Sequence, residues 1–305
     1  MHNSKILIFG RVGQVGWELR HKLACQGQIT TCEYPDVDFS KPDSIRNAVR
    51  AVEPNVIINA AAYTAVDKAE VDSDLAFAIN GTAPGVLAEE AKRLGSLLVH
   101  YSTDYVFDGT KQGAYVETDS PNPANVYGES KLAGDQAIQA VAGDYLILRT
   151  SWVYGARGSN FLLTMLRLAK ERTELQIVDD QIGSPTSSEC IAQATASILA
   201  QLLAPSNGGL NGRSGIYNLT SSGETSWFGF AKSLLAKSAS TIGFTMPNLI
   251  PIKTVDFPRP AARPANSRLL CQRLQETFGV TMPHWEQALD LVLETLADGV
   301  ARVNS

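Results

Sequence analysis

The chain has 305 residues, of which 44% are hydrophobic and 19% charged, with a net charge of -5. This is ordinary for a globular protein of one large core or two domains, and it excludes the basic footprint of a nucleic-acid binder. Four scattered cysteines (Cys25, Cys32, Cys190, Cys271) contain no C-x-x-C pair, which argues against a zinc site or a disulfide framework, and no apolar run reaches the length of a membrane span. The N-terminus runs almost directly into a strand-like segment, so no signal peptide is expected and a cytoplasmic, reducing location is the default.

"KILIFG", Lys5 to Gly10, is a β-branched apolar run ending in glycine and predicts a buried parallel strand. The next segment places Val15, Leu19 and Leu23 on one helical face, and "ITTCEY" follows as a second strand. "DSIRNAVRAVEP" predicts a helix that stops before Pro54, and "NVIINAAA" a third strand. "DLAFAINGTAPGVLAEEAKRLG" predicts a long helix interrupted near Gly81–Pro84. "SLLVHYST" and "YLILRTSWVYG" supply strands four and five. Strands alternating with helices at this spacing imply right-handed βαβ units around a parallel sheet.

Beyond "RTSWVYG" the rhythm changes. An amphipathic helix ("NFLLTMLRLAKE") precedes a strand and turn ("LQIVDDQIGSPTS") and a helix that returns to the sheet ("CIAQATASILAQLL"). A polar, Gly-rich loop ("LLAPSNGGLNGRSG") leads to strand, helix, strand, a Pro/Arg-rich loop and a last helix. The expectation is a large α/β nucleotide-binding layer threaded with a smaller C-terminal region.

Two constellations carry chemistry. "GRVGQVG" lies between the first strand and the first helix, and covers Gly10, Arg11, Val12, Gly13, Gln14, Val15 and Gly16. Its glycines allow a tight turn, close approach of a pyrophosphate, and helix–sheet packing, while the helix N-terminus offers N–H donors. Glycines at such a turn also occur for structure alone. An acidic residue after strand two, Glu33, is placed to bind ribose hydroxyls, with Asp38 and Phe39 on the adenine side. Glu33 favours NADH and Arg11 favours the 2′-phosphate of NADPH, so the preference stays open.

The second constellation is Thr103 at a strand end with Tyr127 and Lys131 one helical turn apart. An ordinary phenol, with a pKa of about 10, is a poor acid at neutral pH. A neighbouring ammonium lowers that pKa, so the phenol can protonate a carbonyl oxygen that a threonine hydroxyl polarises. Y-x-x-x-K alone is common by chance. Its order after a glycine turn and a strand-end threonine is what favours the catalytic reading.

"GQVGWEL", "NAAAYTAVDKAE", "VHYSTDYVFDG", "NVYGESKLAGD", "RTSWVYG", "MLRLAKER", "DQIGSPT" and "RPANSRL" occur here in one order over nearly the whole chain. On these segments the sequence resembles the extended short-chain dehydrogenase/reductase family and, within it, the dTDP-4-dehydrorhamnose reductase group. The resemblance implies a Rossmann-like, doubly wound parallel sheet with a smaller C-terminal substrate domain. The dinucleotide-binding part is expected over residues 1–151, with 173–214 returning to it, and the sugar-nucleotide part over 152–172 and 215–305. It implies carbohydrate biosynthesis: NADPH or NADH reduces the C4 ketone of a dTDP-sugar, dTDP-4-dehydro-L-rhamnose. Tyr127 is then the acid, Lys131 its pKa tuner and ribose ligand, and Thr103 the carbonyl partner. Ala60, Ala61, Ala62, Tyr63 and Thr64 line the cofactor, and Asp104, Trp152, Arg263 and Asn266 face the substrate. An arginine fork suits a diphosphate, although a solvated loop charge is the plain alternative for Arg263.

The resemblance further implies structural Mg²⁺ held by Glu18, Glu189 and Glu286 at a homodimer contact, against the alternative of three solvated surface charges. The glycine turn departs from the family pattern at Arg11 and Val12, where small polar residues are usual. Two other readings remain. One is a sibling reductase of another dTDP-4-keto-6-deoxy sugar. The other is a non-catalytic regulatory subunit, which would not require Thr103, Tyr127 and Lys131 together.

Overall fold

Six parallel strands form the central sheet of the structure, a computed structural model that describes residues 4–204 and 210–303. Part of the Gly-rich loop before Gly215 lies outside the described residues. The strands are β1 (Lys5–Phe9), β2 (Gln28–Cys32), β3 (Val56–Asn59), β4 (Leu97–Thr103), β5 (Tyr145–Thr150) and, after a strand of the smaller region, β7 (Gly215–Asn218). Their spatial order is β7-β5-β4-β3-β1-β2, and every neighbouring pair is parallel.

The continuous apolar runs are explained by burial on both faces. Ile6 and Ile8 pack with Leu19 of α1 (Gln14–Lys22) and with Leu23 just after it, whereas Leu7 and Phe9 pack with Ile45 and Val49 of α2 (Pro42–Val52). All four strand side chains have no accessible surface. On the second face α2 is joined by α3 (Ala83–Leu94) and by Ile138 of α4 (Val126–Val141). The chain steps outward from β1 to β2 and then returns to β3 on the other side. The order therefore reverses between β1 and β3, and open sheets of this type bind ligands outside the carboxyl ends of the strands at such a point.

The expected helix interruption takes the form of a π turn over Ala78–Thr82, just before Pro84. It turns Asn80 inward, where the side-chain amide bonds both the N–H and the carbonyl of Tyr63 and the hydroxyl of Ser130. π turns of this kind commonly re-aim one side chain at a site.

The smaller region contains α5 (Phe161–Glu171), β6 (Glu174–Val178), α7 (Trp227–Ile242), β8 (Asn248–Ile252) and α9 (Trp285–Val303) around a separate apolar core. Two segments sit differently from their sequence grouping. Gly215–Asn218 extends the large sheet beside β5, with Gly215 opposite Leu146. Glu174–Val178 pairs with Asn248–Ile252 outside that sheet. A β-branched strand reads the same in either place, and only its partner decides. The helix α6 (Ser188–Leu202) returns to the large sheet as expected, supplying Ile191, Ile198 and Leu199 to the core around Leu19. A short helix α8 (Gln272–Phe278) also packs there through Leu274 and Phe278.

Candidate active site

The glycine turn behaves as its spacing demands. Gly10 has φ +89, and a Cβ there would lie 2.7 Å from the backbone of Ala60. A Cβ on Gly16 would lie 2.0 Å from the carbonyl of Gly10. Gly13 precedes the first turn of α1 without a side-chain cap, so the helix N–H groups face the cleft. Glu33 receives the N–H of Val12 at 3.2 Å and of Tyr34 at 3.3 Å, which ties the acidic residue to the turn itself. Arg11 reaches Asp36 at 3.6 Å. Asp38 is bound by Ser40 and Lys41, which lower its pKa, and Phe39 sits edge-on to Phe9 with ring centroids 5.3 Å apart. Ala60 to Thr64 follow β3, with Ala60 N–H bonded to Phe9.

Strand β4 presents two faces. Tyr101 bonds Thr195 of α6, whereas His100 and Ser102 face α4. Helix α4 starts at Asn125, whose side chain accepts from the N–H of Gly128. Tyr127, Lys131 and Asp135 then recur every four residues on one stripe. Asp135 receives Ser102 Oγ at 2.9 Å and pairs with Arg149 of β5 at 3.4 Å, both charges being buried. Lys131 is buried and donates to the carbonyl of Tyr101 at 2.7 Å; its Nζ lies 3.1 Å from His100 Nε2.

Thr103 ends β4 within reach of Tyr127. Its hydroxyl donates to Asp104 at 3.1 Å and is close enough to the phenol to favour its ionised form. The expected pKa tuning does not take the expected form. Removal from water raises the Tyr127 phenol, and the nearby Thr103 hydroxyl only partly opposes this. The hydrogen bonds of Lys131 run to the strand beneath it, so its ammonium does not act on the phenol as a close partner. Burial holds Lys131 itself down at about 8, against the pull of Asp135. Asp104 is buried and pushed up to about 6, with Ser267, Thr103 and Ser151 opposing the rise.

A cavity of about 820 Å³ opens in the smaller region, lined by Phe161, Met165, Gln181, Trp227, Phe257 and Arg263 among others. Trp152, at φ +49, stacks on Trp227 with centroids 3.7 Å apart. The cavity adjoins α4, because Asn125 Nδ2 donates to the carbonyl of Ala262 at 2.7 Å, one residue before Arg263. Arg263 pairs with Asp67 at 2.9 Å. Asn266 is a tether rather than a free group: its amide bonds the carbonyls of Lys111 and Gly113 and accepts from Arg268.

The three glutamates expected to hold Mg²⁺ do not converge within the chain. Glu18 and Glu189 are close enough to raise the carboxyl pKa of Glu18, after burial as the larger cause, but Lys22 occupies Glu189 at 2.7 Å. Glu286 lies 3.8 Å from His284. Among the described residues no group of three acidic, His or Cys side chains could hold a metal, and no helix is long and apolar enough to cross a membrane. Sequence reading missed His100, Asn59, Asp135 and Arg149, because buried polar residues inside apolar strands and on a helix stripe carry no local signal beyond their improbability in a core.

Residues 4–298 match the model of the family described as RmlD substrate binding domain. The chain is 48% identical over 295 residues to dTDP-4-dehydrorhamnose reductase of Burkholderia thailandensis, covering 96% of this chain and 99% of the relative. It is 42% identical to that of Escherichia coli K12, covering 95% and 97%. The fold superposes with TM-score 0.86 on the crystal structure of dTDP-4-dehydrorhamnose reductase from Bacillus anthracis in complex with NADP, at 35% identity and covering 96% and 99% of the two chains.

Proposed function

The chain belongs to the RmlD substrate binding domain family, and from that premise we propose that it is an NAD(P)H-dependent dTDP-4-dehydrorhamnose reductase, producing dTDP-L-rhamnose. The observation that supports the reading is Thr103 at the end of β4 beside Tyr127 at the start of α4, with Lys131 one turn further on and bonded to the Tyr101 carbonyl of the same strand.

The reduced nicotinamide, when bound, supplies a hydride to the C4 carbon. The N–H groups that open α1 would receive the pyrophosphate, and the missing side chain of Gly10 lets the turn pack directly against the backbone of Ala60. Arg11 is the group for a 2′-phosphate and Glu33 the group for ribose hydroxyls. In the substrate, Thr103 hydrogen-bonds the ketone oxygen and Tyr127 gives it a proton. A phenol kept protonated by its surroundings suits that role, because the acid must arrive at the transition state with its proton. Arg263 pairs the diphosphate, leaving Asp67 as it does so, while Trp152 and Asp104 border the sugar. No step is routed through Mg²⁺. With a phenol as acid, hydride transfer to a carbonyl needs no Lewis acid.

The test is NADPH and NADH oxidation with dTDP-4-dehydro-L-rhamnose, with NMR of the product. The H3–H4 coupling reports the C4 configuration and separates dTDP-L-rhamnose from the product of a sibling reductase. Absence of turnover with both cofactors defeats the reading.

A further inference from the structure

Three segments far apart in the chain close a ring of hydrogen bonds beside the site. The first is the short helix Val66–Ala69, with Glu70 after it, on the cofactor side beyond β3. The second is the start of α4, and the third is the stretch from Ala261 to Arg263, which lines the cavity. Glu70 Oε1 accepts the N–H of Val126, the first residue of α4, at 3.0 Å. Asp67 Oδ1 accepts the N–H of Ala261 at 3.3 Å and Arg263 Nη2 at 2.9 Å. Asn125 closes the ring, with its Nδ2 2.7 Å from the carbonyl oxygen of Ala262.

Asn125 serves two segments at once. Its Oδ1 accepts the N–H of Gly128 at 2.8 Å and so caps α4, while its Nδ2 donates to Ala262. Both partners are backbone groups with fixed roles, so the amide has one orientation only. At 5% exposure it has little water to replace either bond. Capping by itself does not call for asparagine, since aspartate and serine cap about equally well. An ionised aspartate has no proton to donate, and a serine hydroxyl offers one atom for two partners on different segments. The donor to Ala262 is therefore what the choice of asparagine adds.

Tyr127 stands two residues after Asn125, and its place depends on where α4 begins. Gly128 fixes one side of that start. A Cβ there would lie 2.2 Å from the carbonyl oxygen of Tyr105, so the first turn rests directly on the chain that leaves β4. The Tyr127 ring meets Tyr105 edge-on, at 5.4 Å between centroids. The other side is the cavity wall, reached through Asn125.

We infer that Asn125 is a positioning residue that locks the start of α4, and with it the Tyr127 phenol, to the cavity wall at Ala261, Ala262 and Arg263. This deepens the reductase reading and rests on it. When Arg263 turns from Asp67 to the diphosphate, the backbone bonds at Ala261 and Ala262 remain, so the wall keeps its distance from α4 while the arginine moves. The acid is then held at a fixed offset from a ketone bound against that wall, and a misplacement of about 1 Å can cost about 100-fold in rate. Asn125 acts through Tyr127 rather than on the reacting atoms, because both its amide atoms are already taken by backbone.

Asn125→Ser keeps a capping oxygen for Gly128 and loses the donor to Ala262. With no ligand present, ring ¹³C NMR of labelled tyrosine reads the surroundings of Tyr127, one of nine tyrosines, with Tyr127→Phe identifying its signal. That signal should move in Asn125→Ser. In turnover, kcat should fall roughly 10- to 100-fold, KM for the sugar nucleotide should change far less, and NADPH affinity should not change. Asn125→Asp, which also caps a helix, should show the same split, and it carries the test if the serine variant does not fold. An unchanged Tyr127 signal, an unchanged kcat or a loss confined to KM overturns the inference. The NMR measurement needs no substrate, so a parent protein that reduces no ketone while its Tyr127 signal still answers to Asn125 defeats the reductase reading alone.

Discussion

Arg263 of the smaller region reaches Asp67, just beyond β3, with Nη2 2.9 Å from Oδ1, and the guanidinium also donates to the carbonyl of Ala261. The pair joins the cavity wall to the cofactor layer and keeps a largely buried arginine aimed at the cleft rather than at solvent.

Arg263→Ala should raise the KM for the sugar nucleotide roughly 10- to 100-fold, the effect of losing charge-assisted hydrogen bonds worth about 1.5–3 kcal/mol. NADPH affinity should not change, because the group lies on the substrate side. Steady-state kinetics with a parallel fluorescence titration of NADPH separates the two. An unaltered KM would return Arg263 to a purely structural pairing with Asp67.

Tyr127→Phe should lower kcat by roughly 10²–10⁴, the usual contribution of a general acid, and leave cofactor binding intact. The ring still packs edge-on against Tyr105, at 5.4 Å between centroids, so the helix start should hold. Near wild-type turnover in this variant would remove Tyr127 from the chemistry.

Glu33→Ala should move cofactor preference toward NADPH, because the carboxylate no longer opposes a 2′-phosphate while Arg11 remains. The same carboxylate anchors Val12 and Tyr34 N–H groups, so KM for both cofactors should also rise. The ratio of kcat/KM for NADPH and NADH in variant and parent is the measurement. A constant ratio places Glu33 in turn anchoring alone.

Asp104→Asn should stabilise the fold near neutral pH. The folded carboxyl titrates near 6, above the ordinary 3.8, so the folded state binds more protons in that window and stability falls as pH rises from about 4 to 6. Asparagine removes that dependence. The gain should be small at pH 4 and reach about 3 kcal/mol above pH 6, by the conversion of 1.36 kcal/mol per pKa unit. Chemical denaturation at the two pH values checks it, and a gain independent of pH would contradict the assignment.

What the sequence determined is whatever depends on local pattern. The β-branched runs declare a doubly covered parallel sheet because only burial on both faces explains them. The order Gly10–Gly16, Thr103, Tyr127, Lys131 follows from strand ends and helix starts, which turn and capping chemistry locate. Tertiary structure decided which strands are partners, since nothing within Gly215–Asn218 or Glu174–Val178 says that the first joins the large sheet and the second pairs outside it. It also decided electrostatics. The four-residue spacing of Tyr127 and Lys131 puts them on one helical stripe, but the lysine's bonds are set by His100 and the Tyr101 carbonyl on a strand that lies beneath the helix, and burial rather than a neighbouring charge governs the phenol. Within the single chain, Glu18, Glu189 and Glu286 form no metal-holding group among the described residues, and the site expected of them belongs to a contact between two chains. A side chain's charge is local, but its partner and its dielectric surroundings come from segments distant in the chain.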